Sequence, residues 1–241
     1  MSRLRNIPGA TDVIQGSEYC MKDPEKYRGR WHEVFEKNQP LFIEIGMGKG
    51  HFLMDMAQTH PEHNFIGIEM YDSVLFRAIQ KAEMRQRIRE GEDPERVHGL
   101  SASVQERPGM PADCNFRFLR MDARRLTEVF SENEVDGIFM NFSDPWPKDR
   151  HAGRRLTSVN FLRLYEKIMT SGARLEFKTD NRPLFEFSLE EIRGSGWNLL
   201  QYTFDLHQDP LMNQGNIMTE YEKKFSAKGN AICKLIAQPP R

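Results

Sequence analysis

Leu41-Phe-Ile-Glu-Ile45 runs directly into Gly46-Met-Gly48-Lys-Gly50, after which Phe52, Leu53, Met56 and Ala57 recur at helical spacing until Pro61. A short apolar run rich in isoleucine, a glycine turn and an amphipathic segment predict strand, turn and helix in that order. Glycines at such a turn let backbone approach a ligand closely and point free N–H groups at it. The dinucleotide fingerprint would need glycine at 46, 48 and 51, but position 51 is His, which argues against a pyrophosphate site.

Working outward, Asn64-Phe-Ile-Gly-Ile-Glu69 predicts a second strand, and Asp72 or Ser73 is placed to cap a helix with the apolar face Val74, Leu75, Ala78, Ile79 and Ala82. Residues 115–121 alternate like a strand, Leu126, Val129 and Phe130 mark a short helix, and 135–140 is a further apolar strand. A helix carrying Phe161, Leu162, Leu164, Tyr165, Ile168 and Met169 is expected to close at Ser171-Gly172. The strand 173–179 then leads to Asn181, a helix cap with Pro183 in the first turn. Strands are expected within 197–206 and 231–237, with a loop over 216–225 between them. The sum is an α/β chain, one doubly wound domain over 1–241 with an N-terminal extension (1–39), a polar insertion (about 87–113) and an antiparallel pair at the end.

The 241 residues carry a formal charge of −1 with 34 Lys+Arg, so attraction to nucleic acid has to come from clustered charge. The start has no apolar leader and no window approaches the roughly 18 apolar residues of a membrane span, so a cytoplasmic protein without membrane association is expected. Cys20, Cys114 and Cys233 are odd in number and far apart, which fits neither a disulfide framework nor a zinc ribbon. His60 and His63 flank Pro61 with no further Cys or His close by, and no metal is expected.

Three acids mark the ends or interiors of the first three strands. Glu44 is an unusual carboxylate inside an apolar strand and calls for a cationic or hydrogen-bonding partner. Glu69 lies about 20 residues beyond the glycine turn, where a carboxylate accepts bonds from both ribose hydroxyls of an adenosine. Asp122 ends the third strand and is placed for the adenine amino group. The pattern favours S-adenosylmethionine over a nicotinamide dinucleotide. Past the fourth strand, Asn141-Phe-Ser-Asp-Pro-Trp-Pro-Lys148 puts Asp144 at a strand's carboxyl end, where open α/β sheets bind ligands. Lys148, Arg150, His151, Arg154 and Arg155 follow as a basic run suited to phosphates.

Taken together, Glu44-Ile-Gly-Met-Gly-Lys-Gly50, Gly67-Ile-Glu69, Met121-Asp-Ala123, Ser143-Asp-Pro-Trp-Pro-Lys148, Phe177-Lys-Thr-Asp180 and Thr219-Glu-Tyr-Glu222 resemble the bacterial tRNA (guanine-N7)-methyltransferase family (TrmB). The resemblance implies a class I S-adenosylmethionine-dependent methyltransferase, a Rossmann-like sheet of seven strands, acting on the guanine at position 46 of the tRNA variable loop. It places cofactor binding at Glu44, Gly46, Gly48, Glu69, Asp122 and Asp144, with Asp144 also at the catalytic position. Substrate binding falls on Lys148, Asp180, Thr219, Glu220, Tyr221 and Glu222, and RNA contact on Arg150, His151, Arg154 and Arg155. Either Asp180 or Glu222 would read the Watson–Crick edge of the guanine, and Trp146 would stack on the base or pack beneath the loop. A monomer and a homodimer both fit. A base amino-methyltransferase, with an Asx-Pro-Pro-aromatic turn at the same strand end, is similar in outline but differs from the Trp at position 146.

Overall fold

A computed structural model describes residues 7–93 and 110–240. Most of the polar insertion expected at 87–113 therefore lies outside the described residues; its first part, through Arg89, continues a helix.

The strands are β1 (Leu41–Ile45), β2 (Asn64–Glu69), β3 (Phe116–Arg120), β4 (Val135–Asn141), β5 (Met169–Thr179), β6 (Asn198–Thr203) and β7 (Cys233–Gln238). They form one sheet in the order β3-β2-β1-β4-β5-β7-β6, with β7 antiparallel to both β5 and β6 and the other pairs parallel. The order reverses between β1 and β4, so their carboxyl ends open the crevice in which such sheets bind ligands.

The helices are α1 (Ala10–Gly16), α2 (His51–Thr59), α3 (Asp72–Arg89), α4 (Leu126–Val129), α5 (Val159–Ile168), α6 (Arg182–Gly194) and α7 (Glu220–Ser226). Side chains alternate across a strand, so each strand feeds two cores. Phe65 and Phe118 pack with α1, α2 and α3, whereas Ile66, Ile68 and Leu119 join the core of α4, α5 and α6. Gly67 is the one position on β2 where a Cβ would lie 2.2 Å from Met47 Sδ and 2.8 Å from Leu53 Cδ2; its bareness lets the glycine turn settle on the sheet.

Within residues 7–39 of the N-terminal extension, α1 packs on α3, Cys20 bridges to Phe118 of β3, and Trp31 is buried with its indole donating to the Val129 carbonyl. Three expectations about individual elements are corrected. The cap of α3 is Tyr71 without a side-chain bond; Asp72 begins the helix and turns to Arg120 and Thr11 instead. Helix α5 stops at Ile168, because Met169 already pairs with Val135 in the sheet. The segment read as a loop over 216–225 contains α7, whose cap Thr219 accepts from the Glu222 amide at 2.9 Å. Asn181 caps α6 as expected, accepting from the Leu184 amide.

Candidate active site

The glycine turn is anchored to β2 by bonds from the Gly46 and Met47 amides to the Ile68 carbonyl, 2.9 and 3.1 Å. Gly46, Gly48 and Gly50 all have positive φ. A Cβ at Gly48 would meet nothing within 4 Å, and one at Gly46 only Leu156 Cδ1 at 3.9 Å, so the turn opens on free space as a cradle for a ligand.

Three acids ring that cradle. Glu69 Oε1 accepts from the Met70 and Tyr71 amides at 2.9 and 3.0 Å, and Oε2 accepts from the Gly48 amide at 3.2 Å, which fixes the carboxylate and ties the turn to the strand end. Burial raises the Glu69 pKa, those N–H groups offset part of this, and the nearby Asp144 raises it further. Asp122 Oδ1 accepts from the Arg124 amide at 2.9 Å. Glu44 is 2 % exposed; its Oε1 accepts from Asn141 Nδ2 at 2.9 Å, and its Oε2 is buried without a hydrogen-bond partner. Burial pushes this carboxyl up to about 8, against the pull of Asn141 and Lys178. An orphaned buried oxygen beside an open glycine cradle is what the ammonium of an amino-acid-bearing ligand would satisfy, so these residues fit S-adenosylmethionine.

Asp144 is exposed, three residues past β4, and acts on Glu69 electrostatically. The loop that carries it is strained: Phe142 (φ 53°) and Trp146 (φ 41°) bracket Asp144 in the left-handed region that non-glycine residues avoid. Arg155 holds that shape, donating to the Pro145 and Trp146 carbonyls at 3.1 Å each while its guanidinium lies 4.3 Å from the Phe187 ring centroid. Arg155, expected to contact RNA, is thus engaged by the loop in this structure. Arg154 is free of such bonds and stands 5.0 Å over the half-buried Trp146 ring; Lys148 and Arg150 are exposed, and His151 packs edge-on to Trp146.

Asp180 lies two residues beyond Lys178, which pairs with Asn141 across β4 and β5, so Asp144 and Asp180 leave adjacent strands at the same end. Asp180 Oδ2 accepts from Asn230 Nδ2 at 3.1 Å and from the Tyr221 hydroxyl at 3.4 Å. Tyr221 is 41 % exposed and stacks between Phe225 (4.0 Å) and Phe142 (4.7 Å). Glu220 reaches Lys81 at 3.2 Å and lies 3.0 Å from His51 Nε2 without hydrogen-bond alignment.

Glu222 is withdrawn from the site. It is fully buried, Oε2 accepts from Lys178 Nζ at 2.7 Å, and Oε1 accepts from Asn216 at 2.8 Å and lies 3.0 Å from His207 Nε2. Burial alone would raise its pKa; Lys178, His207 and Asn216 reverse that and hold it below the ordinary value. Of the two acids, Asp180 is the one that is not fully buried. Thr219 acts as a helix cap. Lys178, Asn141, Asn216 and His207 escaped the sequence reading. A lysine inside the apolar strand Phe177-Lys-Thr was the available signal, since a buried ammonium requires a carboxylate.

His60, Glu62 and His63 bring ligating atoms within 4.8 Å of one another, but at the amino end of β2, the opposite end of the sheet from Asp144. Cys20, Cys114 and Cys233 are buried free thiols whose pKa burial raises, which makes them poor nucleophiles. No helix among the described residues is long and apolar enough to cross a membrane.

A doubly wound sheet with an antiparallel final pair, whose first three strands present Glu44, Glu69 and Asp122 around an open glycine turn, defines a class I S-adenosylmethionine-dependent methyltransferase. Solved structures agree at the level of fold: a 16S rRNA methyltransferase, KamB, is 14% identical with a TM-score of 0.58 over 88% of this chain and 94% of its own, and an antibiotic-related methyltransferase is 16% identical with a TM-score of 0.53 over 97% and 94%. The family model described as "Putative methyltransferase" matches residues 38–235. The tRNA (guanine-N(7)-)-methyltransferase of Lachnoclostridium phytofermentans is 48% identical over 98% of this chain and 97% of its own length. That of Geobacillus thermodenitrificans is 44% identical over 99% of each, and that of Enterococcus faecalis 43% over 98% of each. The chain belongs to the tRNA (guanine-N(7)-)-methyltransferase family.

Proposed function

We propose that the protein methylates N7 of a guanine in tRNA, at position 46 of the variable loop, with S-adenosylmethionine as donor. The observation that carries this reading is the convergence of Asp144 and Asp180 at the carboxyl ends of adjacent strands, beside the glycine turn and its acids.

When bound, the donor supplies a methyl group activated by its sulfonium. Glu44 would take its ammonium, Glu69 the ribose hydroxyls and Asp122 the adenine amino group, with Gly46 and Gly48 leaving room for close backbone approach. Guanine N7 carries an unprotonated lone pair at neutral pH, so the chain needs no general base. Its residues align the base, which is worth up to several kcal/mol in avoided entropy, and set fixed negative charge against the positive charge the purine acquires. Asp144 serves the second role. Asp180, oriented by Tyr221 and Asn230, accepts from the ring N–H and amino group of guanine, a pair of donors adenine lacks. Lys148, Arg150 and Arg154 bind phosphates.

Incubation with labelled donor and unmodified tRNA, followed by nucleoside analysis, tests the reading. The expected product is 7-methylguanosine at position 46; a methylated adenosine or cytidine would instead support the amino-methyltransferase reading.

A further inference from the structure

Lys223, Lys224 and Lys228 lie on α7 or just past it and are all exposed. Among the described residues no carboxylate pairs with any of them, whereas other surface basic groups are paired, as in Arg120–Asp72, Arg125–Glu128, Arg182–Glu186 and Lys81–Glu220. Three unpaired ammonium groups on two turns repel one another, an arrangement that a polyanion would relieve.

The place of these lysines connects them to the site. Lys224 and Lys228 Nζ stand 5.6 and 5.2 Å from the Phe225 ring centroid; Phe225 stacks on Tyr221, and Tyr221 reaches Asp180. The buried Lys178–Glu222 pair pins α7, so the strip is presented on a fixed support. Through Glu220, α7 meets Lys81 of α3 on one side of the sheet. The turn 149–154 leads into α5, and Arg155 lies on Phe187 of α6 on the other. Two unpaired basic strips, each backed by an aromatic ring, therefore flank the acidic pair from opposite layers.

Presenting one base to Asp144 requires the RNA strand to be held on both sides of the nucleotide drawn out of its stack. We propose that Lys223, Lys224 and Lys228 form a second phosphate-binding strip, gripping the strand on the side of the target base opposite Lys148, Arg150 and Arg154; this rests on the reading of the site as a tRNA methyltransferase. Lysine acts here as a point charge, so the strip adds affinity and register without sequence preference.

The test measures binding of an unmodified tRNA transcript by fluorescence anisotropy across a salt series. Each phosphate left without its cation lowers the slope of log affinity against log salt by about 0.7 to 0.9, so replacing all three lysines with Ala should flatten it by about 2 to 3. Donor affinity and melting temperature should stay at wild-type values, and Lys224→Glu alone should weaken tRNA binding without disturbing the fold. Replacing Lys37, Arg163 and Lys167 with Ala removes equal charge away from the crevice and should leave the slope unchanged. A triple variant with the wild-type slope, or a control that flattens it equally, overturns the strip. Wild-type protein that methylates tRNA while the triple variant keeps its slope overturns this proposal alone; wild-type protein that neither binds nor methylates tRNA overturns the functional reading as well.

Discussion

Glu44 is a carboxyl group placed where ionisation is expensive: buried, with one oxygen bonded to Asn141 and the other unpartnered. Its pKa is about 8 in the fold against an ordinary 4.5. Between those values the unfolded chain has released the proton and the folded chain has kept it, so stability falls as pH rises through that window. Glu44→Gln removes the titration. Without donor the variant should be more stable than wild type at pH 9 by a few kcal/mol, on the order of 1.4 per pKa unit, with the gap closing toward pH 5. Urea denaturation at both pH values measures it, and a gap independent of pH would contradict the assignment. The variant should also bind S-adenosylmethionine weakly. Arg155 donates to both carbonyls of the strained Pro145–Trp146 loop. Arg155→Ala should lower kcat, because Asp144 loses its support. Steady-state kinetics that show only a raised KM for tRNA would restore the phosphate role expected from sequence.

Four segments meet at Lys178: β5 itself, the Asn216–Ile217 loop, α7 through Glu222, and His207 through the same carboxylate. Removing one partner of a buried pair strands the other charge, so Lys178→Met should cost about 3 to 5 kcal/mol, whereas Lys178→Met with Glu222→Leu should cost less. Equal losses in urea melts of the two variants would show that the stranded carboxylate is not the cause. Because the Glu222 pKa lies below the ordinary value, its contribution is present above that value and lost as pH falls through the lowered one. This lock was beyond a reading of single segments, since its members are scattered between positions 178 and 222. The strand, glycine turn and helix of 41–59 were legible because hydrophobic period and glycine punctuation are local properties. Helix α7 was not: it is short and polar, and only the Thr219 cap and the buried Glu222 set its start. The end of α5 was misplaced because pairing with β4, a tertiary fact, draws Met169 into the sheet ahead of the glycine. Of the candidate site, the acids at 44, 69, 122, 144 and 180 were all identifiable by type and position, but which carboxylates remain available to a ligand depends on partners that only the fold brings together.

At the scale of the molecule, a net charge of −1 says nothing of an RNA partner, because many of the acids are engaged in surface ion pairs while Lys148, Arg150 and Arg154 pair with no carboxylate among the described residues. Arg154→Ala should raise KM for tRNA several-fold and flatten its salt dependence by about one phosphate's worth, leaving donor affinity unchanged; an unaltered slope in the same titration would remove Arg154 from the interface. The whole arrangement converges on Asp144, carried on its strained loop beside the Glu69 carboxylate. The most direct measurement is the single-turnover rate of Asp144→Asn with tRNA and saturating labelled donor. The expected result is a fall of about 100-fold or more, the scale of removing one preorganised electrostatic partner, in a protein with the wild-type melting temperature. A rate within about twofold of wild type would contradict the account.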